Sequence, residues 1–164
     1  MMTFDLMSAV LAYLRAEGAA FRLTNYPVPE AQPAIAHPLR PGGQDVSTRV
    51  VLVDGRPALA CVPEGMTVNA AGLAAALGAS VLQGSPNDLP GEFRGAPEPI
   101  PPLGHLLGVP LFVDERLAAS TILAFRAFSR GVCVELAYGD FARMEQPKIV
   151  SLAIGGSLSA HAPT

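Results

Sequence analysis

Residues 46–62 read Val-Ser-Thr-Arg-Val-Val-Leu-Val-Asp-Gly-Arg-Pro-Ala-Leu-Ala-Cys-Val, and they contain the clearest fold signal in the chain. Two apolar runs, 46–53 and 57–62, flank the dipeptide Asp54-Gly55. Apolar and β-branched side chains favour strands, and Asp-Gly favours the two-residue turn that joins antiparallel strands. The stretch therefore predicts a β-hairpin at the centre of a sheet.

Outside this hairpin, the spacing of apolar residues alternates between the helical and the strand period. The predicted helices cover 3–17, 68–77, 85–93 and 139–144, and the predicted strands cover 20–26, 80–82, 109–113, 121–128 and 131–137. Between them lie a proline-rich irregular stretch, 27–43, and a loop, 95–104. Hairpins and helical crossovers mix in this order, so we expect an α/β (mixed α+β) fold with one mixed sheet and surrounding helices. The runs 50–53, 59–62, 109–113 and 132–136 are the most continuously apolar, and we expect them to be central strands.

Bulk composition indicates one globular domain over residues 1–164. Half of the residues are apolar and 15% are charged, and the net charge is −3. This composition suits a filled core, and it excludes the broad basic face of a non-specific nucleic-acid binder, although it leaves a local basic patch open. The first apolar stretch is interrupted by Asp5 and Arg15, and no run is long enough to span a bilayer. We therefore expect a soluble cytoplasmic protein without membrane contact.

The residues that usually carry catalysis are scattered. The three histidines, His37, His105 and His161, share no metal-ligand spacing, so we predict no metal and no cofactor. Cys61 and Cys133 lie in apolar runs, and we interpret them as buried side chains rather than a disulfide or a nucleophile. No phosphate-binding glycine loop or serine-nucleophile motif occurs. The carboxylate pair that begins at residue 114 predicts a helix start, with acid–base chemistry as the alternative.

The loop from Gly95 to Gly104 remains as the candidate site. Prolines at four of its positions restrict the backbone, and glycine lets the backbone approach a ligand closely. A loop of this kind between a helix and a core strand can form a rigid wall of a binding site. The alternative is a tight connection without function.

The motifs around this loop resemble a known family. Pro-Pro-Leu-Gly at 101–104, Val-Pro-Leu-Phe-Val-Asp-Glu at 109–115 and Val-Glu-Leu-x-x-x-Asp-Phe at 134–141 are similar to motifs of the YbaK/ProX family of aminoacyl-tRNA editing domains. The resemblance covers about residues 4–146 and leaves 147–164 as a C-terminal extension. It implies a compact domain with a curved mixed sheet that hydrolyses the ester of mischarged aminoacyl-tRNA. It also implies a site without a metal or a protein nucleophile, in which backbone groups position the ester and the adjacent ribose hydroxyl helps to activate water.

The resemblance also implies the site residues. Arg49 and Gly104 are expected to act in catalysis, and the expected substrate-binding residues are Tyr26, Ser47, Thr48, Pro101, Pro102, His105 and Asp140. Ser47 stands where the family usually has a lysine, and Arg49, two residues on, lies on the same strand face and can replace that charge. Glu98-Pro99 stands where the family usually has Gly-Gly or Gly-Ser. We expect Ser47, Arg49, Gly104 and Asp140 to line one cleft.

Two functions are consistent with these residues. The first is a trans-editing deacylase that acts on the 3′ end of aminoacyl-tRNA. The alternative is a binding module for tRNA or a small amino-acid-like ligand that has lost the chemistry. The sequence leaves the oligomeric state and a partner aminoacyl-tRNA synthetase open.

Overall fold

The computed structural model describes residues 5–25 and 43–154. Its helices are α1 (Leu6–Ala16), α2 (Ala70–Leu77), α3 (Gly104–Leu107), α4 (Glu115–Ala118) and α5 (Tyr138–Glu145), with 3₁₀ turns at Pro86–Asp88 and Gly91–Phe93. Its strands are β1 (Phe21–Asn25), β2 (Gly43–Val53), β3 (Arg56–Pro63), β4 (Thr67–Val68), β5 (Val81–Gln83), β6 (Leu111–Asp114), β7 (Ile122–Arg126), β8 (Val132–Ala137), β9 (Lys148–Val150) and β10 (Ala153–Ile154).

One mixed sheet organises the domain, in the order β1-β8-β7-β2-β3-β6-β9, and β5 also pairs with β2. The pairs β2–β7, β3–β6 and β6–β9 are parallel, and the other pairs of this sheet are antiparallel. Along this order the four apolar runs predicted to be central all lie inside the sheet edges. The expected α/β fold with a mixed sheet is confirmed.

The central hairpin forms as its turn residues predict. Val53 pairs with Arg56 across the turn, and both turn residues have positive φ, 50° at Asp54 and 82° at Gly55. Two residues with positive φ match the twist of the flanking strands, and this explains why the turn contains Asp-Gly. The antiparallel register continues from this turn to Val46 and Pro63.

Hydrophobic side chains pack on both faces of the sheet. On one face, Val50 and Leu59 pack in a cluster with Leu14 of α1 and Phe141 of α5; we call this the α1 face. On the other face, Val51 packs with residues of β3 and α2; we call this the α2 face. Because side chains alternate along a strand, consecutive residues of β2 belong to different faces.

Several predicted boundaries were wrong. The helix predicted over 85–93 is two 3₁₀ turns, because Pro90 has no amide hydrogen to donate and Gly91 adopts a φ of 61°. The loop predicted over 95–104 ends in the short helix α3.

Asp114 caps α4 by accepting from the Arg116 amide, as the helix-start interpretation of Asp114-Glu115 requires. Most of the irregular stretch 27–43 lies outside the described residues.

Candidate functional site

A fork between two parallel strands forms the candidate site. β2 and β7 pair only from Gly43 with Ile122 to Asp45 with Ala124. Beyond Asp45 the two strands separate, and β2 next gains a neighbour on this side at Val51, where β5 begins to pair. Within residues 5–25 and 43–154, no strand pairs with β2 on this side between these two points.

This open edge presents main-chain hydrogen-bonding groups. Val53 and Arg56 flank the two-residue turn and form a hydrogen-bonded pair. Such pairs alternate along an antiparallel hairpin, so the main-chain groups of Ser47 and Arg49 point toward β3. Those of Thr48 and Val50 point the opposite way, and the Val50 carbonyl accepts there from the Gly84 amide over 2.9 Å. The amide and carbonyl of Thr48 therefore face the fork.

The fork opens into a cleft of about 140 Å³, which we call the fork cleft. The residues that line it are Asp45, Val46, Ser47, Thr48, Arg49, Glu64, Glu98, Pro99, Ala124, Phe125, Arg126 and Arg130. Since Asp45 pairs with Ala124, the side chains of Ser47, Arg49 and Arg126 lie on the α2 face of the two separating strands. β2, β7 and the loop at Glu98 thus supply its three sides.

The loop side of the cleft is held in place by the end of β7. The Phe128 amide donates to the Pro99 carbonyl over 2.6 Å. The Phe128 ring stacks on Phe93 with centroids 5.9 Å apart, and Ile100 is buried in the same cluster. Glu98 therefore projects from a backbone that is anchored next to the cleft.

The fork cleft carries charged side chains of both signs, namely Arg49, Arg126, Arg130, Asp45, Glu64 and Glu98. Among the described residues, the side chains of Arg49, Arg130, Glu64 and Glu98 form no hydrogen bond or salt bridge with one another or with a neighbour. Charges of both signs are thus available to a ligand in one small cleft.

Gly104 does not line the fork cleft. It is buried at the start of α3, where an added Cβ would lie 2.7 Å from the Val109 carbonyl oxygen and 3.1 Å from the Leu111 Cβ. Leu111 belongs to the α1 face, whereas Arg49 belongs to the α2 face. The expectation that Arg49 and Gly104 share a cleft was wrong, because the two residues pack on opposite faces of the sheet and line different cavities, so Arg49 does not replace the family lysine beside Gly104.

Gly104 and His105 line a second cavity together with Glu145. The Glu145 carboxylate is fully buried and accepts from the Tyr13 hydroxyl over 2.5 Å and from the His105 amide over 3.1 Å. The His105 Nδ1 lies 2.9 Å from the Met144 carbonyl oxygen. Burial raises the pKa of Glu145, although both hydrogen bonds act against that rise. This arrangement joins α1, α3 and α5.

The remaining predicted site residues are dispersed. Pro101 and Pro102 are buried in the segment that leads into α3. Asp140 lies in the first turn of α5, 3.5 Å from the Arg143 guanidinium, and does not line the fork cleft. Tyr26 lies outside the described residues. Of the predicted residues, the structure brings Ser47, Thr48 and Arg49 together and separates them from His105, Gly104 and Asp140.

Nine of the twelve residues that line the cleft had not been assigned from the sequence, and Glu98, Pro99 and Arg126 are among them. Glu98 and Pro99 had a signal, because the resemblance aligns them with the family's Gly-Gly or Gly-Ser. Arg126 had none, since its approach to β2 depends on a strand pairing between residues far apart in the chain.

Of the helices that the structure describes, none has both the length and the apolar character needed to span a bilayer.

Solved structures share this fold at low sequence identity. A proposed trans-editing enzyme for prolyl tRNA synthetase matches with a TM-score of 0.72 and 16% identity, over 94% of this chain and 100% of that chain. The hypothetical protein APE2540 matches with a TM-score of 0.70 and 18% identity, over 89% and 99%. A proposed signal transduction protein from Marinobacter aquaeolei VT8 matches with a TM-score of 0.69 and 16% identity, over 92% of this chain but 31% of its own.

Sequence comparison identifies the family. No curated protein matches the chain. The model of the aminoacyl-tRNA editing domain matches residues 30–144, which is more than half of the chain and includes every residue that lines the fork cleft. The chain therefore belongs to the aminoacyl-tRNA editing domain family.

Proposed function

We propose that this protein hydrolyses the ester bond of mischarged aminoacyl-tRNA and that the reaction takes place in the fork cleft. The observation that carries the proposal is the open main-chain edge of β2 at Thr48, which faces a small cleft lined by Arg49 and Arg130. An acyl ester needs an oriented donor for its carbonyl oxygen, and the 3′ end of a tRNA needs cations for its phosphates.

The chemistry proceeds without a protein nucleophile. An aminoacyl ester is already reactive, so a site that orients the ester and stabilises the developing oxyanion accelerates its hydrolysis. The Thr48 amide is the main-chain donor that we assign to the ester carbonyl. Its side-chain hydroxyl contacts the Cys61 sulfur at 3.7 Å on the α1 face and does not take part. As the family resemblance implies, the ribose hydroxyl next to the ester helps to activate water.

Arg49 binds the tRNA end in this proposal. Ser47 occupies the position of the family lysine and has no charge, and Arg49 lies two residues along the same strand and lines the same cleft. A guanidinium stays protonated at any relevant pH, so Arg49 positions the phosphate and transfers no proton. Since aminoacyl-tRNA is used in the cytoplasm, we place the activity there.

Timed loss of the ester from purified, mischarged tRNA tests the proposal. Single tRNAs are charged with cognate or non-cognate amino acids and incubated with the protein, with a chelator added in a parallel series. We expect faster ester loss from at least one non-cognate pair, unchanged by the chelator. Ester loss at the buffer rate for every pair would contradict the proposal.

A binding module is the second candidate, and Ser47 is the observation that favours it. If the cleft binds aminoacyl-tRNA but lacks the cation needed for turnover, the wild-type protein will be inert. The Ser47→Lys variant would then gain hydrolysis. Retained binding of the tRNA end by the inert wild type distinguishes this function from a loss of the site.

A further inference from the structure

The carboxylates of the fork cleft have no place in the function proposed above. Glu64 and Glu98 line the cleft beside Arg49 and Arg130, and none of these four side chains forms an ion pair within the part of the chain that the structure describes. Opposite charges that stay apart in one small cleft fit a ligand that carries both charges. The end of an aminoacyl-tRNA has a phosphodiester and, two bonds from the ester carbonyl, an ammonium group.

We propose that Glu98 binds the α-ammonium group of the aminoacyl moiety and makes the site selective for esters with a free amino group. The inference rests on the proposed function, because it requires the aminoacyl end to enter the fork cleft. With the ester carbonyl at Thr48 on the β2 side, the ammonium group turns toward the loop side, which Glu98 and Pro99 form.

Glu98 suits this role better than the other cleft carboxylates. Its neighbour Pro99 is anchored by the 2.6 Å hydrogen bond from the amide of Phe128, two residues beyond the end of β7, so the backbone that carries the carboxylate is fixed. The backbone of Glu64 is also anchored, because its amide donates to the Asp45 carbonyl over 2.9 Å, but Glu64 follows β3 and therefore lies on the side of β2 away from the fork that the Thr48 amide faces. Asp45 already takes part in other interactions. A carboxylate on an anchored backbone loses less freedom when it binds a cation than one on a mobile segment.

The test compares two uncleavable ligands that differ only in the ammonium group. One is 3′-alanylamino-3′-deoxyadenosine, and the other is its lactyl counterpart, in which a hydroxyl replaces the amino group. Calorimetric titration of the full chain is expected to show about tenfold tighter binding of the alanyl ligand, the difference that one charge-assisted hydrogen bond provides. In Glu98→Gln the two affinities should become equal, with the lactyl affinity unchanged within about twofold of wild type.

Glu92→Gln is the matched control. Glu92 is an exposed glutamate in the 3₁₀ turn of the same segment and does not line the cleft, so this variant should keep the tenfold preference. A preference that survives in Glu98→Gln would overturn the inference. So would a Glu98→Gln variant that hydrolyses esters more slowly but discriminates between the two ligands as wild type does.

The two proposals fail in different ways. Strong and equal binding of both ligands by wild type, with hydrolysis of mischarged tRNA intact, removes the ammonium subsite and leaves the proposed function standing. Absence of both binding and hydrolysis removes both proposals. Ammonium-dependent binding without hydrolysis supports the subsite and favours the binding module.

Discussion

The Phe128 amide donates to the Pro99 carbonyl over 2.6 Å, and this bond joins the end of β7 to the loop side of the fork cleft. Phe128 has a φ of 61°, a conformation that costs free energy for a bulky residue. The residue is 8% exposed, and its ring stacks on Phe93. Burial of the ring thus holds a strained backbone whose amide is aimed at the loop.

Removing this ring should disturb both stability and the cleft. We expect Phe128→Ala to lower the free energy of unfolding by about 3–5 kcal/mol, the usual cost of a buried phenylalanine. We also expect slower ester hydrolysis per folded molecule, because the loop side loses its anchor. Urea unfolding and timed ester loss measure the two effects. Phe21→Ala, on β1 away from the cleft, is the control that should affect stability alone; unchanged hydrolysis per folded Phe128→Ala molecule would contradict this assignment.

Gly104 should prove to be a packing residue. A Cβ at this position would meet the Val109 carbonyl oxygen at 2.7 Å, so Gly104→Ala must shift α3 or β6 and should lose about 1–3 kcal/mol of stability. Gly139→Ala is the matched control, since an added Cβ in α5 meets nothing within 4 Å and should stabilise the helix by about 0.4–1 kcal/mol. Hydrolysis per folded molecule should be unchanged in both variants. A loss of hydrolysis in Gly104→Ala alone would mean that Gly104 contributes to the active site.

Local signals predicted the elements well. The turn of the central hairpin requires two residues of positive φ, and Asp54-Gly55 supplies them as expected. Gly78 ends α2 with a φ of 66°. Residues of this kind are required by the backbone conformation at their own position, so the sequence alone predicts the turn and the end of the helix. The α/β fold followed from the order of these elements.

The site was harder to predict because it depends on pairings between distant residues. The fork exists because β2 pairs with β7 for only three residues, and no local pattern marks where such pairing stops. Gly104 shows the converse problem. A glycine required by a carbonyl five residues later has the same appearance in the sequence as a glycine required by a ligand.

The burial of Glu145 should make stability depend on pH, and the hydrogen bond from Tyr13 opposes this dependence. Burial raises the pKa of Glu145 above its usual value of 4.5, so the folded state binds this proton more tightly than the unfolded state. The stabilisation that results is fully present below pH 4.5 and is lost as the pH rises through the folded pKa. Tyr13→Phe removes a donor to the ionised carboxylate and should cost about 1–3 kcal/mol near pH 8, and less near pH 4.5.

Urea unfolding at the two pH values measures this difference. Tyr138→Phe is the control, because no hydrogen bond of the Tyr138 hydroxyl is found among the described residues, and it should change stability by less than about 0.5 kcal/mol. An equal loss at both pH values in Tyr13→Phe would mean that the tyrosine acts through packing and not through the carboxylate.

Both cysteines should be inert in the folded protein. Burial raises the pKa of Cys61 to about 12 and that of Cys133 to about 11, so neither forms a thiolate near neutral pH. A disulfide reagent should label neither thiol until urea unfolds the chain. Cys61→Ala and Cys133→Ala should keep the wild-type hydrolysis rate per folded molecule, and a selective loss of turnover in either variant would indicate thiol chemistry.

Arg49 provides the most direct test of the cleft. We expect Arg49→Ala to slow ester hydrolysis by about 10²–10³-fold, the usual cost of removing one oriented donor from an active site. Stability should barely change, since Arg49 is exposed and has no partner among the described residues. Arg56→Ala removes an exposed arginine at the hairpin end of β3, outside the cleft, and should leave hydrolysis unchanged.

The Ser47→Lys variant tests whether a cation at position 47 can do the work of the one at position 49. Ser47 and Arg49 lie on the same face of β2 and line the same cleft, so a lysine at position 47 adds a cation to the wall that binds the tRNA phosphate. We expect Ser47→Lys to keep or raise the hydrolysis rate, and to restore part of the rate when combined with Arg49→Ala. Rates measured at several salt concentrations should show a steeper salt dependence with the added charge. Full activity of Arg49→Ala, with no effect of Ser47→Lys, would place the reaction outside the fork cleft.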